Sequence, residues 1–368
     1  MYFGYPIFTP LSGERKIPKI NFEPLLKKTK QIFKNAGDVF EKAFATAKKI
    51  KWHKIKDFAV ILLQKIKSSW KLITVIVPAF IVLYYPLGGY LMENIDTDTT
   101  KDIKVTSAEQ SNLVNAMAFL VDKEINQNIW TPNLPFFFPS YFLDNMPSFQ
   151  LGEIDAVSKT AKTFASLVKK YSDTEDKNLQ KAAEYLSYPA TVWMFAPNSD
   201  SIFAPSSATQ YRKGKHELMV YNQNLADRKT IFSRGADDLE ILLSSADTYI
   251  SARIAELQNH IRENQDAWTD GRADNLFYYT KGKLYAYYIL LRAAGDDYKS
   301  IIINADMYAK WSEMLSCLER AAELSPLLVR NANMKSSLAP NHLAYMQMYA
   351  LCATNSIKDI EFSTAEEL

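Results

Sequence analysis

The sequence predicts an all-α protein in which a single transmembrane helix is followed by a multi-helix bundle with two aromatic- and proline-rich loops. Three observations carry this prediction. Residues 72–92 form one long uncharged stretch, apolar residues recur at helical spacing through most of the chain after residue 105, and two connecting segments combine proline with many aromatic residues. Glycine is scarce, with 11 residues in 368, which disfavours a Gly-rich nucleotide-binding architecture.

We divide the chain into five segments on this basis. They are an irregular arm (1–24), a basic amphipathic helical segment (25–71), a transmembrane helix (72–92), a helical domain (93–360) and a frayed tail (361–368).

The stretch that opens at Leu72 carries no ionisable group other than tyrosine. About 20 apolar residues at 1.5 Å rise cross a hydrocarbon core of roughly 30 Å, so its length suits a membrane span. Pro78 and Pro86 each remove a backbone donor, and Pro86 followed by Gly88 is expected to kink or end the helix near the outer interface. The glycines there also suit close helix packing in a homo-oligomer, and both explanations stay open.

Three tyrosines near the same end, Tyr84, Tyr85 and Tyr90, are expected to form an aromatic belt at the membrane surface. The flanks give the span a direction. Residues 1–71 hold 16 Lys and Arg against five Asp and Glu, a net +11, and the remainder holds 27 against 36, a net −9. Positive residues beside a span resist translocation. We therefore expect a cytoplasmic N-terminus, an uncleaved anchor and residues 93 onward on the far side of the membrane, which is the periplasm in a two-membrane bacterium.

The basic segment 25–71 alternates lysines with an apolar helical face. Such a helix suits the anionic inner leaflet of the lipid bilayer. Packing on a cytoplasmic partner, or simple solvation, explains it as well. Nucleic acid is not an expected partner, because the adjacent membrane competes for the same lysines.

Helical patterns continue through the exported part. The helix that opens it is expected to start with a capping box of Thr106 and Glu109. A nearly heptad seam runs from Phe232 to Ile261, and the next helix is apolar on most of its circumference, as expected in the middle of a bundle. The predicted helices are 106–128, 147–171, 177–186, 232–261, 275–292, 306–324 and 340–360.

The two loops, residues 128–152 and 187–207, lack periodicity. Each either covers a core or forms a binding surface, and we expect covering because apolar rings left in water are costly. The two cysteines, Cys317 and Cys352, lie in the exported part, where a disulfide is permitted. Two buried free thiols are the alternative. Two Cys with four scattered His make a metal site improbable, and the sequence indicates no metal and no cofactor.

Several polar residues stand in apolar surroundings, where charges have to be paired or to cap helices. Asp274 is expected to cap the buried helix and Asn341 to start the last one. The candidate polar cluster consists of Asp144, Asn145, Arg234, Asp237, Arg272, Asp274, Lys281 and His342.

The functional alternative is a cleft in which Asp144, Asp274, Lys281 and His342 converge. A carboxyl or imidazole there would act as general acid or base on an envelope polymer such as peptidoglycan. Known catalytic motifs give no support to an enzyme. Ser166 and Lys169 have S-x-x-K spacing, but the SDN and KTG motifs that accompany it in known enzymes are missing, and G-x-S-x-G and H-E-x-x-H do not occur. We therefore favour a non-enzymatic scaffold or regulator that works with other envelope proteins.

Several stretches together resemble a known family. They are LYYPLG (83–88), Asn128 with Trp130 and Thr131, PFFFP (135–139), LDNMPSFQLG (143–152), Tyr188 and Pro189 with Trp193, Phe232 with Arg234, RADNLFYYTKGKLYAYYILLR (272–292) and PNHL (340–343). In this order they are similar to domain of unknown function 2333, a group of single-span proteobacterial envelope proteins, over about residues 80–360. The resemblance implies an inner-membrane protein with a helical periplasmic domain, and it implies no activity or catalytic residues.

Overall fold

The computed structural model describes residues 70–101, 103, 105–170, 176–194, 204–264, 270–304, 307–332 and 340–366. The predicted arm and nearly all of the basic segment lie outside these residues. Two compact units divide the chain, residues 1–80 and 81–368.

The all-α prediction is confirmed, since the described residues hold ten α-helices and no strand beyond one isolated bridge, Asn331 to Asn341. The helices are α1 Trp70–Met92, α2 Asn112–Asp122, α3 Asn145–Lys170, α4 Lys177–Leu186, α5 Ser207–Ala226, α6 Ala236–Asn264, α7 Ala273–Asp297, α8 Lys299–Asn304, α9 Tyr308–Glu323 and α10 His342–Glu366. A π-helical turn, Lys123–Gln127, continues α2, and a 3₁₀ turn spans Pro139–Phe142.

Helix α1 contains Leu72 and Pro78, and its portion Thr74–Met92 is long and apolar enough to cross a membrane. Only 11% of that portion is buried. The helix does not end at Pro86 as expected, because helical structure continues to Met92 and the Glu93 N–H bonds the Gly89 carbonyl at 2.9 Å. Gly88 instead allows Pro139 to pack closely against α1, because a Cβ at position 88 would lie 2.5 Å from the ring of Pro139.

Helix α7 is the centre of the bundle, as its apolar circumference predicts, and nearly every residue between Leu276 and Ala294 is buried. Its closest neighbour is α3. A Cβ on Gly282 would lie 2.0 Å from the Phe149 carbonyl oxygen, and one on Gly152 would lie 1.9 Å from that of Tyr279. Both crossing positions therefore need glycine.

The remaining helices pack around this pair. Helix α10 contacts α6 and α9, α4 packs on α5, and α2 packs on α5 and α7. A disulfide joins Cys317 of α9 to Cys352 of α10, with Cα atoms 5.9 Å apart. That distance is typical of disulfides.

Helix α2 starts later than its sequence predicts. Ser111 is the N-cap, and its Oγ accepts the Val114 N–H at 3.2 Å. Asp297, at the end of α7, accepts the N–H groups of residues 112 and 113 at 2.8 and 3.0 Å. Thr106 instead bonds the Gln110 side chain at 3.1 Å, so the expected capping box with Glu109 is wrong. A carboxylate supplied from another helix replaces it, as the positive end of a helix favours.

The first aromatic loop covers the core with one part and exposes another. Trp130 is 3% exposed, and its indole N–H donates to the Ala190 carbonyl at 2.9 Å. Phe136 and Phe142 are 67% and 70% exposed. The expectation that this loop covers a core is therefore wrong for Phe136, Phe137, Tyr141 and Phe142, which are exposed. Residues 195–203 of the second loop lie outside the described part.

Candidate functional site

Asp144 and Asp274 lie side by side although they are far apart in sequence. Asp144 directly precedes α3, Asp274 lies in the first turn of α7, and a hydrogen bond joins their side chains. Nearby, Asn145 Nδ2 donates to Glu93 Oε1 at 3.2 Å, directly after α1. We call Glu93, Asp144 and Asp274 the carboxyl cluster.

Within the cluster, the pKa of Asp274 is raised. Burial raises the pKa of Asp274, and the negative charge of Asp144 raises it further, against a lowering by the Asn275 N–H at 2.9 Å. Burial also raises the pKa of Tyr278, and all three carboxylates add to that shift. Two adjacent carboxyl groups that share a proton can act as an acid and a base. This pair is the part of the predicted cleft that the fold brings together.

Lys281 and His342 make their contacts elsewhere. Lys281 is 3% exposed, and its Nζ donates to the Leu324 carbonyl at 2.9 Å, at the C-terminal end of α9. Burial lowers its pKa to about 8. His342 Nδ1 accepts the Arg330 N–H at 3.0 Å, and burial together with the Arg330 charge lowers its pKa. Lys281 therefore binds a carbonyl at the end of α9, and His342 binds the backbone of the connection between α9 and α10.

Caps account for several other predicted residues. Asn341 Oδ1 accepts the Ala344 N–H at 2.9 Å, so it starts α10 as predicted. Asp274 does not cap α7, because Arg272 occupies the N-cap position and exposes its side chain. Asp237 lies in the first turn of α6, where the helix dipole favours a carboxylate.

Arg234 fixes the turn that leads into α2. Its Nη2 donates to the Gln110 and Ala108 carbonyls at 2.9 and 3.3 Å, and its guanidinium lies 4.8 Å from the ring centre of Phe232. These contacts use the side chain for structure.

A buried ionic network on the π-helical turn is the main feature that sequence reasoning missed. Lys123 is 1% exposed, and its Nζ lies 2.9 Å from Glu153 Oε2 and 3.2 Å from Glu124 Oε1. It also lies 4.2 Å from the ring centre of Tyr285. Gln150 Nε2 donates to Glu124 Oε2 at 2.8 Å. The available signal was periodicity, because positions 123 and 124 fall on the apolar face of α2.

Burial and the neighbouring charges together set the pKa values of Lys123 and Glu153 in this network. Burial lowers the pKa of Lys123, but the charges of Glu153 and Glu124 outweigh it and raise the pKa above its usual range. Burial raises the pKa of Glu153 to about 8, although the charge of Lys123 acts to lower it.

Residues 93–101, which we call the strap, follow α1 and are held by several side chains of the bundle. Lys123 Nζ donates to the Asp96 carbonyl at 3.0 Å, and Tyr285 Oη to the Asp98 carbonyl at 3.3 Å. Arg292 donates to the carbonyls of Thr99 and, at 2.6 Å, of Lys101. Further contacts are made by Asn94 Nδ2 with Asn128 Oδ1 (2.9 Å) and by Thr99 Oγ1 with Glu319 Oε1 (2.8 Å). Lys123 on the π-helical turn and Tyr285 and Arg292 of α7 thus fix the strap.

A second missed pair joins α6 to the start of α10. His260 Nε2 lies 2.8 Å from Asp270 Oδ2, and both side chains are about nine-tenths buried. Asn331 Nδ2 donates to the same oxygen at 3.1 Å, and Asn341 Nδ2 to Asn331 Oδ1 at 2.9 Å. Hydrogen bonds link these four side chains in series from His260 to Asn341, so they form a structural bridge between α6 and the start of α10.

Residues 91–261 match the family model for "Uncharacterized protein conserved in bacteria (DUF2333)". Over this segment, a little under half of its length, the chain is similar to the DUF2333 family. No curated protein and no solved structure matches the chain. The motifs at 83–88, 272–292 and 340–343 lie outside the DUF2333 segment, so their resemblance stays a prediction.

The DUF2333 segment holds most of the buried network and the strap, while Asp274, Lys281 and His342 lie beyond it. Among the described residues, no group of three His, Cys, Asp or Glu side chains is placed to hold a metal ion. One small cavity beside Tyr287, Thr160 and Ser245 measures about 10 Å³, room for about one water. The arrangement therefore offers two adjacent carboxyl groups, Asp144 and Asp274, at the starts of α3 and α7, and a polar core that fixes the strap.

Proposed function

We propose that this chain is a single-pass protein of the bacterial inner membrane and a non-enzymatic scaffold or regulator in cell-envelope organisation or biogenesis. Its N-terminus is cytoplasmic, its helical domain is periplasmic, and its basic segment lies on the anionic inner leaflet. Its partners are other envelope proteins. The strap is the observation that carries the proposal.

The strap supports a positional role because buried side chains fix it. A flexible linker would let the domain change its position relative to the membrane. Here Arg292 and Lys123 of the bundle bind the strap carbonyls at 2.6 to 3.0 Å. The domain thereby holds residues 93–101 at a set place relative to α7. Such a device suits a protein that presents a surface at a defined height above the bilayer.

The polar residues and the disulfide support the same proposal. Arg234, Lys281 and His342 bind backbone groups at turns and helix ends. The bond between Cys317 and Cys352 fits an oxidising compartment such as the periplasm.

Topology is tested with reporter fusions after residue 368. Alkaline phosphatase should be active there, and ordinary green fluorescent protein should be dark. The reverse pattern would place the domain in the cytoplasm and refute the proposal.

The scaffold role is tested by affinity capture from solubilised membranes, with Arg292→Met as the strap variant and Arg320→Met, a cation on α9, as the control. The native chain and Arg320→Met should recover the same stable envelope partners, and Arg292→Met should recover fewer while still inserting. A functional tagged chain that repeatedly recovers no partner would count against a scaffold.

The carboxyl pair favours a second candidate, a periplasmic hydrolase or ligand-binding domain that acts on an envelope polymer such as peptidoglycan. Asp274 would donate a proton and Asp144 would accept one. Asp274→Asn and Asp144→Asn should then fail to complement a deletion, while Asp237→Asn, on the first turn of α6, should complement. Full complementation by the folded Asp274→Asn and His342→Ala variants would eliminate the enzyme.

A further inference from the structure

Residues 135–142, which we call the aromatic foot, expose more aromatic surface than a soluble domain normally tolerates. Phe136, Phe142 and Tyr141 are 67%, 70% and 52% exposed, and Phe137 is 40% exposed. The sequence from residue 131 to residue 143 contains no charged side chain. An uncharged ring cluster of this kind needs an apolar or interfacial environment.

The aromatic foot is fixed to the last turns of α1. Tyr84 Oη donates to the Phe137 carbonyl at 2.9 Å, and Tyr85 Oη donates to the Phe136 carbonyl at 2.7 Å. The rings of Tyr85 and Phe142 meet edge to face with centres 4.8 Å apart. These bonds take the place of hydrogen bonds from water to the two carbonyls, so both carbonyls stay bonded when the foot lies away from water.

The exposed face of α1 continues into the foot. Leu83, Leu87 and Tyr90 are each more than half exposed. The first charged residues after α1 and after the foot lie close together. Glu93 follows α1, Asp144 follows the foot, and Asn145 bonds Glu93 at 3.2 Å. Tyr85 precedes this boundary by eight residues, about 12 Å along the helix. That depth matches the region between headgroups and acyl chains.

We infer that the aromatic foot lies in the outer leaflet of the bilayer that α1 crosses, with its rings at the boundary between headgroups and acyl chains. This inference rests on the proposed membrane span. Phenylalanine and tyrosine are the residue types that such an interface accepts. The protein therefore contacts the outer leaflet at two places, the span and the foot, which fixes how the domain stands on the membrane.

Nitroxide labels test the placement in the full chain reconstituted into phosphatidylethanolamine–phosphatidylglycerol vesicles. One added cysteine replaces Phe142, Val75 in the span or, as a matched control, Tyr308 on α9, which is 67% exposed. The native cysteines are bonded to each other and take no label. Collision rates with oxygen, which concentrates in lipid, and with a water-soluble nickel complex report the depth of each label.

Labels at positions 75 and 142 should collide mainly with oxygen, and the label at 308 mainly with nickel. A label at 142 that behaves like the one at 308, while 75 stays in lipid, would overturn the foot and leave the span intact. Protection of 142 from both reagents would show a protein partner or second copy there and also overturn it. An aqueous label at 75 would refute the span and the foot together.

A second variant keeps the test independent of labelling. Phe136→Asp together with Phe142→Asp should expel the foot from the leaflet and raise its cleavage by the broad-specificity protease proteinase K severalfold on vesicles. Tyr308→Asp should leave cleavage of the foot unchanged. Equal cleavage of the native chain and the double variant, with unchanged helical circular dichroism, would contradict a lipid-covered foot.

Discussion

Replacing Lys123 by methionine tests the buried network most directly. Methionine keeps the length of the side chain but removes the only cation within 3.2 Å of Glu124 and Glu153 in the described structure. It also removes a hydrogen bond to the strap at Asp96. Breaking a buried ion pair from one side costs about 3–5 kcal/mol, because the partner charge stays buried.

The expected loss of stability is therefore about 3–5 kcal/mol. For a domain of this size each kcal/mol lowers Tm by roughly 2–4 °C, so Lys123→Met should melt roughly 6–20 °C below the native chain. Thermal and urea unfolding of the full chain in detergent micelles, followed by circular dichroism, measures both quantities.

Lys310→Met is the matched control. Its ammonium pairs with Glu313 at 3.4 Å and Asp359 at 3.1 Å, but the side chain is 48% exposed. Exposed pairs of this kind contribute about 0–1 kcal/mol, so this variant should melt close to the native chain. Adding Glu153→Gln to Lys123→Met should restore part of the loss, since it removes a partner carboxyl. A loss below about 1 kcal/mol for Lys123→Met would refute the ionic description of this core.

Three further outcomes follow from the packing and the charges. The pKa of Glu153 in the folded protein is raised from 4.5 to about 8, so its contribution to stability is complete below pH about 4.5 and is lost as the pH rises through about 8. Glu153→Gln should therefore gain stability relative to the native chain across that pH window, measured by urea titrations at several pH values. Gly282→Ala places a Cβ 2.0 Å from a carbonyl oxygen of α3 and should cost several kcal/mol or prevent folding, whereas Gly271→Ala, with nothing within 4 Å, should be nearly neutral in the same melts. Reducing the disulfide that closes a 35-residue separation should lower the free energy of unfolding by about 4 kcal/mol, and an unchanged urea midpoint under reductant would contradict that value.

Periodicity predicted most of the fold because buried faces leave a repeating signature. The middle helix was recognisable from its apolar circumference, and α7 is buried along nearly its whole length. Helix starts were less predictable where another helix supplies the cap. Ser111 and Asp297 together start α2, and no local pattern around Thr106 reveals a carboxylate that arrives from the end of α7.

The candidate site was predictable only in part for a related reason. Asp144 and Asp274 stood out as charges beside apolar residues, and the fold pairs them. Lys281 stood out in the same way, yet its Nζ binds the end of α9. Sequence shows that a polar group must be satisfied, whereas only the fold shows whether a charge, a carbonyl or a second carboxyl satisfies it.

The aromatic foot and the carboxyl cluster meet at one level of the molecule, and this bears on both proposed functions. Asn145 follows the foot and bonds Glu93, which follows α1, so Asp144 and Asp274 lie where the apolar surface ends. With the foot in the outer leaflet, the pair stands at the height of the lipid headgroups. An envelope polymer or a partner protein would therefore have to reach the carboxyl pair along the membrane surface. The strap then acts for either function, because it holds the bundle at the height where that meeting occurs.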